Sequence, residues 1–182
     1  MESNEPKSEK NELVYHVPKG WVRFLYTYYF LLIAGGIAFM LNIILMINLS
    51  HTASKITGSD YVMYTFFVSM LASAVFSSIC YSKKLYKACI DGRLLFVNTN
   101  RAIFIGNIWY FFLRPIFAVA FSVLFVVCLL GGVLFLMNGL DCAINERMVY
   151  LSAIISSAIG YSVGNLLDKF SIVSEKTITK IQ

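Results

Sequence analysis

The sequence has few charged residues, and charge is missing altogether from several long stretches. Of its 182 residues only 14% are charged, while 58% are hydrophobic; soluble domains carry about a quarter charged residues. This balance indicates a membrane protein. The formal net charge of +5 is unevenly distributed along the chain. It therefore reports membrane topology rather than a nucleic-acid partner.

The uncharged stretches predict four α-helices that are long enough to cross a bilayer. They lie at about 24–49, 61–82, 115–137 and 148–167, and a membrane-spanning helix needs about 20 apolar residues. Asp, Glu, Lys, Arg and His are absent from all four stretches. Proton relays, ion-coupled transporters and voltage sensors depend on such residues inside the membrane, so the sequence disfavours these classes.

Cysteine and histidine are also scarce, and their spacing carries no catalytic or metal-binding pattern. The four cysteines, Cys80, Cys89, Cys128 and Cys142, include no CxxC pair. The two histidines lie in the predicted N-terminal tail and in a predicted outer loop. We therefore expect no enzymatic activity, no metal site and no cofactor.

The charges that are present predict the domain organisation. Residues 1–22 form a polar N-terminal tail, residues 23–170 the four-span domain and residues 171–182 a second polar tail. The stretch 83–102 is the most basic part of the chain. By the positive-inside rule, this stretch and both termini are cytoplasmic. The predicted fold class is an all-α, integral membrane four-helix bundle.

The dipeptide Arg114-Pro115 predicts a boundary ahead of the third span. Proline suits the first turn of a helix, and the residue before a proline disfavours the helical conformation. An arginine is costly at mid-membrane but is tolerated at the cytoplasmic face. The aromatic run 103–113 would then be an interfacial or elbow helix, with Trp109 and Tyr110 at headgroup depth.

Small residues recur every four positions in the last span. Ser152, Ser156, Gly160 and Gly164 form one stripe on a helix. Lipid tails supply no hydrophobic push between helices, so association depends on close backbone approach and hydrogen bonds, both of which small residues permit. We predict helix packing through this stripe and through the pair Gly35 and Gly36 of the first span.

Neutral polar side chains remain as candidates to line an aqueous path. They are Asn42, Asn48, Thr65, Ser69 and Ser73. Packing offers a competing explanation for several of them. An amide in hydrocarbon needs a partner on another helix or water, and a serine often bonds the carbonyl four residues earlier in its own helix.

Cations on the predicted inner side are the candidates for contact with a ligand or partner. They are Lys83, Lys84, Lys87, Arg93, Arg101 and Arg114. Contact with anionic lipid headgroups explains them as well. A glycine-rich phosphate-binding loop does not accompany them in the sequence.

The aromatic run into Arg114-Pro115, the small-residue third span and the Gly160/Gly164 span resemble small four-span proteins of the bacterial inner membrane. The layout is also similar to membrane effectors of anti-phage defence systems, such as the channel subunit of the Hailong system and the four-span effectors of cyclic-nucleotide signalling systems. The resemblance implies a multi-pass inner-membrane protein that forms a ring-shaped pore. Such a pore depolarises the cell when a nucleotide-type signal changes.

Two function classes follow from the sequence. The first is a homo-oligomeric gated pore or ion channel, for example a tetramer, because one four-span chain encloses little space by itself. The second is a non-conducting anchor or scaffold that holds a soluble partner through its basic loop. The expected partners are the lipid bilayer, further copies of the chain, and a soluble protein or nucleotide-type ligand on the cytoplasmic side.

Overall fold

A computed structural model shows an all-α chain. It describes residues 15–53, 58–91, 94–95, 101–136 and 146–178, with side chains over 17–49, 59–91, 105–132 and 146–165. The helices in these parts are α1 (Lys19–Ala53), α2 (Gly58–Ile90), α3 (Arg101–Leu136) and α4 (Glu146–Ile178). Two short strands, β1 (Tyr15–His16) and β2 (Leu94–Leu95), pair in parallel.

The first helix begins earlier than the sequence predicts. We placed residues up to 22 in a polar tail, but α1 starts at Lys19 and the preceding Val17 is fully buried. The amide of Val22 donates to the carbonyl of Pro18 at 3.1 Å, so Pro18 stands at the start of the helix, where its missing N–H costs nothing. Residues 1–14 of the predicted tail lie outside the described part of the chain.

Helix α2 is the centre of the arrangement. It packs most extensively on α4, then on α3 and on α1, whereas α1 and α3 touch little. Within their most apolar windows, α2 is 44% buried and α1 only 11%. Helix α1 is therefore a peripheral helix, and most of its surface is exposed.

The contact between α2 and α4 is close because α4 presents small residues to its neighbour. Ser152 and Ser156 are fully buried. A Cβ built on Gly160 would lie 2.9 Å from the Cα of Ser73, and one on Gly164 would meet the hydroxyl of Tyr81. A side chain at Gly160 would therefore push the two backbones apart.

The predicted boundary at Arg114-Pro115 is not a helix end in this structure. Helix α3 runs from Arg101 to Leu136 with Pro115 inside it, so the run 103–113 is its first part and not a separate element. Proline removes the N–H that would bond the carbonyl of residue 111. The hydroxyl of Tyr29 in α1 donates to that Phe111 carbonyl at 2.7 Å. A neighbouring helix thus satisfies the group that the proline leaves open, as is typical inside membranes.

Three of the helices are long and apolar enough to cross a membrane. The candidate spans are Lys19–Leu49, Ser59–Ile90 and Ile105–Gly132. Their outward side chains are large and apolar, for example Phe30 and Leu124. Among the described residues α4 is not a fourth such span. Serine, glycine and tyrosine lower its hydropathy, and four spans remain a prediction.

Replacing Gly160 with alanine should destabilise the fold, because the new methyl group would meet the backbone of Ser73. Overpacking of this kind costs about 1–3 kcal/mol. Gly131→Ala is the matched control, since a Cβ there meets open space. Denaturant titration in micelles should show a lower midpoint for G160A only. Equal midpoints for the two variants would contradict the close contact between α2 and α4.

Replacing Tyr29 with phenylalanine should leave the Phe111 carbonyl without its interhelical donor, at a cost of about 1 kcal/mol or more. Pro115→Ala returns an N–H that can bond this carbonyl within α3. In a P115A background the Y29F substitution should therefore cost less than half as much, as measured by the same titration. A cost that is unchanged in that background would show that Tyr29 does not compensate for the proline.

Candidate functional site

Three helices meet at a small polar contact that we name the serine junction: Ser69 of α2, Ser122 of α3 and Ser156 of α4. The hydroxyl of Ser122 donates to the carbonyl of Ser69 at 3.1 Å and lies 2.8 Å from the hydroxyl of Ser156. A serine has one proton to donate, so Ser156 is the donor in the second bond. All three side chains are fully buried. The junction therefore joins helices and leaves no open channel between them.

The pore candidates of α2 lie in this interior. Thr65 and Ser73 are fully buried, like Ser69. The hydroxyl of Thr65 donates to the carbonyl of Tyr61 at 2.7 Å, and that of Ser73 to the carbonyl of Met70 at 2.9 Å. These bonds within α2 satisfy the hydroxyls in place.

The pore candidates of α1 lie on the outer surface of the protein and not in its interior. Asn42 and Asn48 are both exposed. The two predicted packing glycines divide between inside and outside. Gly36 faces Val75 of α2, whereas a Cβ on Gly35 would meet nothing within 4 Å. Helix α1 thus presents an outward surface that carries both small and amide side chains.

Arg114 is a buried charged residue of α3, in the half of the structure where α1 and α3 begin. It is only 7% exposed. Its guanidinium carbon lies 4.3 Å from the ring centroid of Tyr110 and 5.5 Å from that of Tyr81, and one nitrogen donates to the carbonyl of Gly164 at 3.4 Å. We name these four residues the arginine cluster. A planar guanidinium suits such stacking, which an ammonium does not reproduce.

The position of Arg114 corrects a conclusion from the sequence. The sequence predicts uncharged spans because Pro115 marks the expected start of the third. The candidate span Ile105–Gly132 contains Arg114, and Ser59–Ile90 contains Lys83 and other lysines near its end. The arginine is tolerated because aromatic rings and a backbone carbonyl surround it.

The structure describes the side chains of three of the other predicted ligand contacts. Lys83, Lys84 and Lys87 are exposed on α2. Lys84 lies 5.0 Å from the ring centroid of Tyr81, at the rim of the arginine cluster. Arg93 and the side chain of Arg101 lie outside the described residues.

Residue patterns predict neither the partners of Arg114 nor the donor to the Phe111 carbonyl, and Tyr110 is expected only at headgroup depth. Tyr110 precedes Arg114 by one helical turn, which is a readable signal for stacking on one helix face. Tyr29 and Tyr81 come from other helices, so local spacing does not reveal them. Among the described residues no group of His, Cys, Asp and Glu is arranged to hold a metal ion. Cys80, Cys89 and Cys128 are free thiols.

Taken together, the apolar helices and the enclosed polar contacts define an all-α membrane protein. In comparisons with known proteins, the chain matches no family model, no curated protein and no solved structure.

Replacing Arg114 with lysine should destabilise the fold by about 1–2 kcal/mol, because a desolvated stack on aromatic rings is lost. Lys84→Gln is the matched control. Its cation touches the same Tyr81 ring but is exposed, where such a contact contributes about 0.5–1 kcal/mol. Denaturant titration in micelles should show a clearly lower unfolding midpoint for R114K than for K84Q. Equal losses of stability in the two variants would show that the burial of Arg114 does not strengthen its contact with the aromatic rings.

Proposed function

We propose that the chain is one subunit of a homo-oligomeric, gated membrane pore, with α1 supplying the wall of the water path. The observation that carries the proposal is the exposed amide of Asn42, which lies inside the apolar span Lys19–Leu49, about two helical turns before its end. An amide facing hydrocarbon is costly. A position facing water or another subunit removes that cost.

The packing inside one chain supports a path between subunits rather than through a subunit. The described small polar residues on the inner faces of α2, α3 and α4 pack on one another, as the serine junction and the contact of Gly160 with Ser73 show. Three helices packed this closely leave no room for a wide channel between them. A ring of subunits would provide one.

The outward face of α1 suits such a ring. Ala34, Ala38 and Asn42 follow one another at four-residue spacing, Gly35 lies beside Ala34, and all four are exposed. Small residues let a neighbouring helix approach closely, and amides bond across helices. Asn48 lies further along the same helix and is also exposed. Of the five pore candidates, the proposal therefore depends on the two asparagines.

The proposal includes a membrane topology. Four spans, with α4 as the fourth, would place both termini and the basic end of α2 in the cytoplasm of a bacterial cell. The first part of α3 would then lie at headgroup depth, where Trp109 and Tyr110 are favourable. Apolar walls with few amides suit a poorly selective pore that closes by dewetting.

A role in anti-phage defence would follow from this activity. Opening a poorly selective pore in the inner membrane depolarises the cell, which is what the similar four-span effectors are expected to do. The exposed Lys83, Lys84 and Lys87 are the proposed contact for a nucleotide-type signal or for a soluble protein that carries it.

A second candidate function is a non-conducting anchor. It is favoured by one observation: α2 continues as a helix to Ile90 and presents these three lysines on its exposed surface. A soluble acidic partner would fit such a surface. This function requires no water path and no subunit ring.

Conductance of the purified protein in planar bilayers separates the two functions. Wild type should conduct, and Asn42→Leu should reduce the current about tenfold or more, because an apolar wall dewets. Asn42→Asp should shift the reversal potential toward cation selectivity, because it adds a ring of negative charge. Ile37→Leu, at an exposed position of α1 that lies about 140° around the helix from Asn42, is the control and should conduct like wild type.

A silent wild type under every signal tested would contradict the pore and favour the anchor. Wild-type currents with unchanged selectivity in N42D would keep the pore but remove Asn42 from its wall.

A further inference from the structure

The segment that precedes α1 is tied to the rest of the protein although it lies outside the four helices. It contains β1, which pairs in parallel with β2 in the connection between α2 and α3 and also lies against α3. The next residue, Val17, is fully buried. We name Tyr15, His16 and Val17 the N-terminal latch. Neither the proposed pore nor the proposed anchor uses it.

The buried side chain of the latch lies between residues of three helices. Val17 belongs to the same apolar cluster as Leu25 of α1, Leu85 of α2 and Ile108 of α3, which are also buried. A valine enclosed ahead of α1 has to leave this cluster before the beginning of α1 can move away from it. The latch therefore holds the beginning of α1 against the end of α2 and the beginning of α3.

The connection between the latch and α1 is short and stiff. Only Val17 and Pro18 stand between β1 and Lys19, the first residue of α1. The residue before a proline is restricted to extended backbone, and the proline fixes its own φ. A displacement of the latch is therefore passed on to the beginning of α1.

The latch is also small enough to be released while the rest of the fold stays intact. In the described part of the chain, it consists of a two-residue strand pair and one buried valine side chain. A strand pair of this size is not stable by itself, and local opening of such segments belongs to the low end of the stabilities found within one protein. A ligand that binds the open form more tightly shifts this equilibrium.

The lysines of α2 are connected to the latch through one aromatic ring. Lys84 is exposed, and its Nζ lies 5.0 Å from the ring centroid of Tyr81. Tyr81 belongs to the apolar cluster that includes Val17, as does Leu85, the residue that follows Lys84. A phosphate-bearing ligand that draws the ammonium group away from the ring removes a contact at the edge of this cluster.

We propose that the N-terminal latch is a regulatory switch, in which binding of a phosphate-bearing ligand at Lys84 releases Val17 and frees the beginning of α1. The effect on conduction rests on the proposed function, in which α1 forms the wall of the pore. A wall helix has to move away from α2 and α3 for the ring to widen, and the closed latch opposes this movement. The latched state is therefore the closed state of the pore.

The accessibility of position 17 measures the latch without any need for conduction. In micelles, with the four native cysteines replaced by serine, V17C should react with a soluble maleimide at least about tenfold more slowly than G20C, because its labelling requires opening. Position 20 is the control, since a Cβ there meets open space. Inorganic polyphosphate should accelerate the labelling of V17C about tenfold and leave that of G20C unchanged.

Hydrogen exchange of residues 15–17 in the wild-type chain gives the same measurement without a substitution in the latch, and it should accelerate likewise with polyphosphate. Lys84→Gln separates coupling from binding. In K84Q the labelling of V17C should not respond even to saturating polyphosphate. K83Q should only raise the concentration required, because Lys84 is the one of these two lysines that the described contacts place over Tyr81.

Equal labelling of V17C and G20C would overturn the latch. Protection that polyphosphate leaves unchanged would show a purely structural contact and would also overturn the proposal, as would full acceleration in K84Q. In planar bilayers polyphosphate should raise the current of the wild type but not that of K84Q. Accelerated labelling with silent bilayers would contradict the pore and keep the latch. A rising current without accelerated labelling would keep the pore and overturn the latch.

Discussion

The structure depends on how closely two helix backbones approach each other, because lipid supplies no hydrophobic driving force for helix association. Lipid is as apolar as the side chains it surrounds, so van der Waals contact and interhelical hydrogen bonds provide the stabilisation. Gly160 allows α4 to rest on the backbone of Ser73 in α2. The serine junction becomes possible only at that distance, because a hydroxyl reaches about 3 Å and no further. The rest of the interior is arranged around this contact.

The same solvent explains why two of the most costly polar groups in the interior have partners on neighbouring helices. The carbonyl left open by Pro115 receives the hydroxyl of Tyr29, and the charge of Arg114 is surrounded by Tyr110, Tyr81 and a carbonyl. Water is not at hand in hydrocarbon to replace a missing partner. Each of these contacts also joins helices, so the groups that are most costly to bury contribute to the specificity of the packing.

Residue patterns predicted much of this packing but not all of it. The four-residue spacing of Ser152, Ser156, Gly160 and Gly164 was readable because a helix places such positions on one face. Pro115 misled the prediction because local rules assign a proline to a helix start. Those rules are correct for an isolated helix, but they do not include a donor supplied by Tyr29, which is 82 positions away from the acceptor residue. Thr65, Ser69 and Ser73 show the same limit, since a serine row looks alike whether it faces water or a neighbouring helix.

The sequence by itself determined that the chain is helical, that it is a membrane protein, and which edge of α4 is nearly bare. These properties follow from composition and from the helical period, which are local. The tertiary structure decided which polar groups are enclosed, where Arg114 lies, and which surface of α1 remains outside, namely the Asn42 face. These depend on contacts between helices that are distant in sequence, and in lipid such contacts are selected by shape and hydrogen bonding, which residue patterns do not encode.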